Sequence, residues 1–213
     1  MNKKRHEHII QQVPLDYYQV GVKNNILQKI WHTNKLKNVI AYIPNSSQKI
    51  LDVGCASGWF ISKITKKFQK SRCYGVDLYR EAIQQATKLY PNIHFKVADA
   101  HKLPFKEKTF DLIICTEVLE HVDDPETVFL EIKRVLKKGG RAIVELDSGS
   151  LLFSASWYLW RKFVGKVWND SHLHSFNVKK LEQLSRRCGF LVISKRRFNF
   201  GMAMVFVLLK NEK

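Results

Sequence analysis

The chain has 213 residues, 45% apolar and 12% aromatic, which suits one folded domain with a real core and excludes a disordered chain. Its formal charge of +17 sits mostly on the flanks, with seven Lys/Arg against two acids in residues 1–40, twelve against three in 151–213, and seventeen against fourteen between. Four cysteines, at 55, 73, 115 and 188, form no C-x-x-C pair, no apolar signal region follows Met1–Arg5, and no run reaches the ~20 residues of a spanning helix. Reduced, mostly buried thiols and a cytoplasmic location are therefore expected, and the basic flanks allow peripheral attachment at the inner membrane face. Such a surface attracts nucleic acid or anionic lipid headgroups, or serves only solubility.

Residues 1–12 are polar and expected to be frayed. From Leu15 to Ile43, apolar residues recur at helical intervals, which predicts one long or broken helix ended by Pro44-Asn45-Ser46-Ser47. Strands and helices then alternate: a strand at 49–54, a helix at about 58–68, a strand at 73–76, a helix at about 79–89 and a strand at 93–97. After a long loop come a strand at 110–115, a helix from Pro125 to Leu136 ending at Gly139-Gly140, and a fifth strand at 141–146. Residues 151–168 are aromatic and basic, 178–188 look helical, and 190–198 and 202–209 form two strands with a short link. The βα alternation implies a parallel sheet covered on both faces, and the short link makes the last two strands an antiparallel hairpin. The expected fold is thus α/β and Rossmann-like, a mostly parallel sheet with a C-terminal antiparallel hairpin. A helical extension over 1–44 precedes a domain over 45–213, with an acceptor-side insertion at about 148–177.

The stretch Lys49-Ile-Leu-Asp-Val-Gly-Cys-Ala-Ser-Gly58 reads as a buried strand breaking into a glycine turn that opens a helix. A dinucleotide fingerprint needs G-x-G-x-x-G and a P-loop needs G-x-x-x-x-G-K-[ST]. Here the spacing is G-x-x-x-G followed by Trp59, which points to an adenosyl ligand poorer in phosphate. Acids mark four strand ends, where an open α/β sheet binds its ligands: Asp52, Asp77, Asp99 and Glu117. The acid after the second strand suits a ribose diol, since a carboxylate accepts both hydroxyl hydrogens.

Taken together, Ile50–Gly58, Gly75-Val-Asp77, Val97-Ala-Asp99-Ala100 and Phe110-Asp-Leu-Ile-Ile-Cys-Thr-Glu-Val-Leu-Glu-His121 resemble the class I S-adenosylmethionine-dependent methyltransferases. Within them they are most similar to the small-molecule type that includes ubiquinone and menaquinone biosynthesis enzymes. The resemblance implies a seven-stranded sheet with the last strand antiparallel and S-adenosyl-L-methionine as cofactor. It implies that Gly54 and Gly58 flank the methionine part, Asp52 positions its amino end and Asp77 holds the ribose hydroxyls. Leu78 would pack on the adenine, Asp99 would accept from its amino group with Ala100 lending an amide, and Glu117 with Val118 would line the cavity near the reacting methyl. Ala56 stands where the family often has glycine.

Methyl transfer to an activated sulfonium needs positioning more than a strong catalytic signature, so the candidate bases are simply the histidines near the site: His121, His172 and His174. The H-x-H pair in Asp170-Ser-His-Leu-His-Ser-Phe176 lacks an evident third ligand, so no metal is expected. Residues 151–160 carry no charge and three cations follow by Lys166, which suits a greasy lid or a helix on a membrane surface. The expected acceptor is an apolar or lipid-linked small molecule, with contact to anionic membrane as an associated expectation. RNA methylation is the rival reading of the charge. Against it, the fourth strand leads into Thr116-Glu-Val-Leu119, not a [D/N]-P-P-[Y/F] motif, and no proline precedes Cys115. A non-catalytic scaffold is the third reading.

Overall fold

The computed structural model describes residues 13–163 and 172–211; the segment 1–12 expected to be frayed, and residues 164–168 of the aromatic, basic stretch, lie outside the described residues. At the amino end the helical stretch divides into α1 (Tyr17–Asn24) and α2 (Ile26–Ile40). The break falls at Asn25, whose backbone is extended and whose side-chain oxygen accepts the N–H groups of Leu27 and Gln28 at 3.0 and 3.1 Å. An asparagine at that point satisfies two donors that a new helix would otherwise leave bare.

The remaining elements are β1 (Lys49–Val53), α3 (Trp59–Lys67), β2 (Arg72–Asp77), α4 (Arg80–Leu89), β3 (His94–Val97), β4 (Phe110–Thr116), α5 (Pro125–Val135), β5 (Leu136–Asp147), α6 (Leu151–Phe163), α7 (Val178–Arg187), β6 (Phe190–Phe198) and β7 (Ala203–Lys210). They form one seven-stranded sheet in the order β3-β2-β1-β4-β5-β7-β6. The first five neighbours pair in parallel, and β7 runs antiparallel to both β5 and β6. The α/β fold with a C-terminal antiparallel hairpin is therefore as the alternation predicts. Because the chain builds outward from β1 to β3 and then crosses to β4, a crevice opens beyond the carboxyl ends of β1 and β4.

Strand side chains alternate between two cores. Leu51, Val53, Ile113, Cys115 and Val144 pack with α5 and α7 on one face, and Ile50, Leu112, Ile114 and Ile143 pack with α2 and α3 on the other. Such two-sided burial explains why these strands read as continuous apolar runs. All four cysteines are unpaired and buried.

One boundary departs from the expectation. The helix at 125–136 does not run on to Gly139-Gly140; it stops at Val135, and Leu136 is already extended (φ −71°, ψ 137°) and paired with Phe110. The register resumes at Leu112 with Arg141, so residues 137–140 form a bulge within β5, where Gly139 takes φ +68°. The glycines serve a strand irregularity and not a helix stop. Among the described residues no helix is long and apolar enough to cross a membrane.

Candidate functional site

The site begins at the turn after β1. Gly54 takes φ +76°, and a Cβ there would stand 2.2 Å from Val118 Cγ2, so only glycine lets the turn lie against the segment after β4. The N–H groups of Gly54 and Cys55 both donate to Val76 O, at 2.8 and 3.0 Å, folding the turn onto the end of β2. Asp77 completes the clamp: its Oδ2 accepts Ala56 N–H at 2.8 Å and its Oδ1 accepts Tyr79 N–H at 2.9 Å. Burial still raises its pKa, against the lowering by these amide bonds. Ala56 sits at φ +44°, so the alanine found where glycine is usual carries left-handed backbone, a cost of about 1–2 kcal/mol that the Asp77 bond offsets. Gly58, at φ +78°, starts α3.

A cavity of about 850 Å³ opens from this turn. That volume falls within the roughly 300–1,000 Å³ usual for small-molecule sites. Of the residues singled out in the sequence, Gly54, Asp77, Leu78, Asp99, Ala100 and Glu117 line it, as do His121 and His172. Asp99 Oδ1 also accepts His101 N–H at 2.9 Å and stands 2.6 Å from His101 Nδ1. Asp52, Gly58 and His174 are not part of the lining. Asp52 is 1% exposed and neither of its oxygens has a hydrogen-bond partner among the described residues. Burial pushes it up to about 8, with Lys35 partly opposing and Asp77 adding.

The amino-terminal helices supply what local motifs could not. Trp31 Nε1 donates to Glu117 Oε1 at 3.2 Å, and Lys35 Nζ stands 2.9 Å from Glu117 Oε2. These side chains are one helical turn apart on α2, so they share a face. Lys35 is 3% exposed and lies over the rings of Tyr18 and Phe60 at 5.6 and 5.7 Å. Burial alone would raise the Glu117 carboxyl, but Lys35, His32 and the two hydrogen bonds reverse this and hold it at about 2. His32, enclosed by Tyr18 and Trp59, is lowered to about 4 by burial, with the charge of Lys35 adding. Glu145 on β5 is buried and raised to about 8, chiefly by desolvation.

Past Glu117 the chain lays Glu120 and His121 along the same cavity, and His172 approaches from beyond α6. The rings of His121 and His172 meet edge to face with centroids 4.9 Å apart, and Trp157 stacks on His172 at 5.0 Å. Asp147 Oδ2 stands 3.7 Å from His172 Nδ1, and burial raises the Asp147 carboxyl to about 6. Glu120 and Asp147 were not legible as site residues in the sequence. His174 turns away: Leu173 N–H and His174 N–H both donate to Glu120 O, at 2.7 and 3.2 Å, and a bend at Leu173 carries the His174 ring toward Asp123 O. The H-x-H pair therefore does not act as a unit. His172 pairs instead with Glu120 and His121, whose candidate ligand atoms lie with its own within 4.8 Å.

Residues 51–144 match the family of methyltransferase domains. The chain is 35% identical over 98 residues to the malonyl-[acyl-carrier protein] O-methyltransferase of Hahella chejuensis, covering 45% of this chain and 35% of that one. It is 25% identical over 236 residues to the demethylmenaquinone methyltransferase of Lactococcus lactis, covering 100% and 92% of the two chains. Against the first relatives matched, the chain spans about a third to a half of their length. An S-adenosylmethionine-dependent methyltransferase of Thermotoga maritima has the same fold, with a TM-score of 0.77 at 21% identity over 97% of this chain and 100% of that one. The glycine turn, which a side chain at Gly54 would close, and the two-oxygen clamp of Asp77 at the end of β2 fit an adenosyl cofactor of this kind.

Proposed function

We propose, from the premise that this chain carries a methyltransferase domain of the class I fold, that it transfers a methyl group from S-adenosylmethionine to an apolar or lipid-linked small-molecule acceptor. One observation carries this reading: the glycine turn and three strand-end carboxylates, Asp77, Asp99 and Glu117, converge on a single large cavity. When bound, the cofactor supplies an electrophilic methyl group on a sulfonium. The chain's part is to hold, orient and shield. Asp77 keeps lone pairs beyond those used by Ala56 and Tyr79, enough to accept two ribose hydroxyls. Leu78 and Ala100 offer apolar contact for an adenine, beside Asp99. Gly54 gives the backbone room at the methionine side, whereas Gly58 starts α3 and Asp52 stays buried and protonated behind the wall.

His121 and His172 are the groups that would receive or orient a proton of the acceptor, while His174, outside the lining, falls to the segment's structure. Aligning nucleophile and methyl is worth up to about 7–11 kcal/mol, and proton transfer adds roughly 10²–10⁴-fold where the acceptor must lose one. The cavity wall favours an apolar acceptor. Phe153, Trp157, Leu159 and Phe200 line the cavity, and Leu159 and Phe200 are also exposed at its rim. Exposed Leu151, Leu152 and Tyr158 extend that rim along α6, a surface on which an anionic membrane could present a lipid-linked acceptor to a cytoplasmic enzyme. We take residues 1–44 as a helical extension, whose described helices α1 and α2 line part of the cavity of the 45–213 domain, with 148–177 as its acceptor-side insertion.

The test is calorimetric and thermal titration with S-adenosylmethionine. At 100 times Kd a ligand adds about 2.7 kcal/mol, which for a chain of this size raises Tm by roughly 5–10 °C. Asp77→Asn keeps an oxygen for the turn but lacks the charge and second acceptor, and should remove most of the shift. A wild-type protein indifferent to the cofactor would overturn the reading and favour the scaffold. Salt-sensitive RNA binding without liposome co-sedimentation would favour the RNA acceptor.

A further inference from the structure

We propose that Glu120, His121 and His172 form a site for one divalent transition-metal ion of the zinc class, at the acceptor end of the cavity, with open positions facing an oxygen of the methyl acceptor. The acceptor part rests on the function proposed above; the ion site itself does not.

Three observations carry it. The candidate donor atoms of the three residues, one carboxylate and two imidazoles, all lie within 4.8 Å of one another and come from two separate stretches of chain. Bonds of about 2.0–2.2 Å place tetrahedral donors roughly 3.4 Å apart, so side-chain rotations that draw the groups in by about an ångström complete the geometry. Glu120 is 2% exposed, and its Oε2 accepts no hydrogen bond among the described residues. A buried carboxylate oxygen left bare costs about 1–3 kcal/mol or more, and a cation is the partner that removes this cost. Finally, the cluster is held from outside. Glu120 O accepts the N–H groups of Leu173 and His174, which fixes the chain next to His172. Trp157 stacks on the His172 ring and fixes its plane, and Asp147 Oδ2 faces its Nδ1 at 3.7 Å, longer than a hydrogen bond.

Two imidazoles with one carboxylate select first-row transition ions over Mg²⁺ and Ca²⁺, which prefer oxygen donors. Three protein ligands leave at least one position free, and all three residues line the cavity, so that position faces the bound acceptor. The ligand class implied is an acceptor bearing a hydroxyl, enol or phenol oxygen beside the atom to be methylated. With the ion in place, the imidazoles act on that oxygen through coordination.

The experiment uses the full chain, stripped with chelator and freed of it, then titrated with Zn²⁺ against a chromophoric competitor and with Co²⁺ monitored in the visible. One ion per chain is expected, with Co²⁺ bands of a low-coordinate N,O site. Glu120→Gln, which keeps shape, and His172→Gln, at a half-buried position whose replacement spares the core, should each weaken Zn²⁺ about tenfold or more. His174→Gln should leave the affinity unchanged. Circular dichroism and thermal melting establish that each variant is folded. Absence of stoichiometric binding by the wild type, or binding that survives both substitutions or is lost in His174→Gln, would overturn the proposal. Titration of the chelated protein with S-adenosylmethionine reads the underlying function separately, since that step needs no ion.

Discussion

Replacing Lys35 by methionine tests how the amino-terminal helices hold the site. Methionine keeps most of the stem that packs on Tyr18 and Phe60 and removes only the charge. At 2.9 Å and an effective dielectric of about 20, the attraction to Glu117 is about 6 kcal/mol before desolvation is set against it. Breaking one partner of such a pair strands the other, which costs about 3–5 kcal/mol. Glu117 can escape by taking up a proton, because without Lys35 burial becomes the dominant influence on its carboxyl. The loss should therefore reach about 3–5 kcal/mol at pH 8 and shrink at pH 5, where protonation is cheap. Urea unfolding at both pH values, followed by circular dichroism, measures it. Lys35→Met combined with Glu117→Gln should recover most of the loss, since neither charge then remains. A loss below about 1 kcal/mol at pH 8, or an equal loss at both pH values with no recovery in the double variant, would refute the reasoning.

Asp52→Asn gives a second pH test. The unfolded chain ionises this residue above about pH 4, whereas the folded chain keeps the proton up to about pH 8, so wild-type stability is lost steadily between those values. Relative to wild type, the asparagine variant should gain stability from pH 4.5 to 8, by up to about 5 kcal/mol, and level off above pH 8; a difference flat across that range would contradict the buried, unbonded carboxylate. Gly54→Ala and Gly139→Ala form a matched pair. Both sit at positive φ, but an added Cβ at Gly54 meets Val118 at 2.2 Å while at Gly139 nothing lies within 4 Å. Gly139→Ala should cost about 1–2 kcal/mol in urea unfolding for its left-handed backbone, Gly54→Ala about 1–3 kcal/mol more for the overlap with Val118, and only Gly54→Ala should also weaken S-adenosylmethionine, by about tenfold or more. Equal effects of the two on cofactor binding would show that the turn does not approach the ligand.

What the sequence disclosed and what it withheld divide along chain separation. Asp77, Asp99 and Glu117 were legible because each closes a strand, and strand ends in a parallel sheet point at one crevice whatever the long-range packing. The bulge in β5 was read as a helix stop because glycine pairs serve both, and only the partner strand decides. Asp52 was placed with the cofactor by motif, yet its alternation along β1 buries it behind the wall. Lys35 and Trp31 were invisible as site residues because their meeting with Glu117 spans more than 80 positions. That only His172 of the two H-x-H candidates lines the cavity was not legible, because a bend at Leu173, fixed by the distant carbonyl of Glu120, separates the two rings.

The tip of the β6–β7 hairpin has a consequence for how the chain assembles. Asn199 and Phe200 both hold left-handed backbone, and Asn199 Oδ1 accepts a hydrogen bond from Asn34 Nδ2 on α2 across 165 positions of sequence. Both Asn199 and Phe200 line the cavity, as do residues contributed by α1 and α2. The mouth of the site is thus stitched from the first and last parts of the chain, whereas β1 to β4 pair within a local run. Closing a loop of that length costs more chain entropy than the strand pairings within the sheet. Ribosomal synthesis adds the same order, since the hairpin emerges after every other strand. A chain with β1 to β5 already paired would still lack the part of the cavity wall that the hairpin tip supplies.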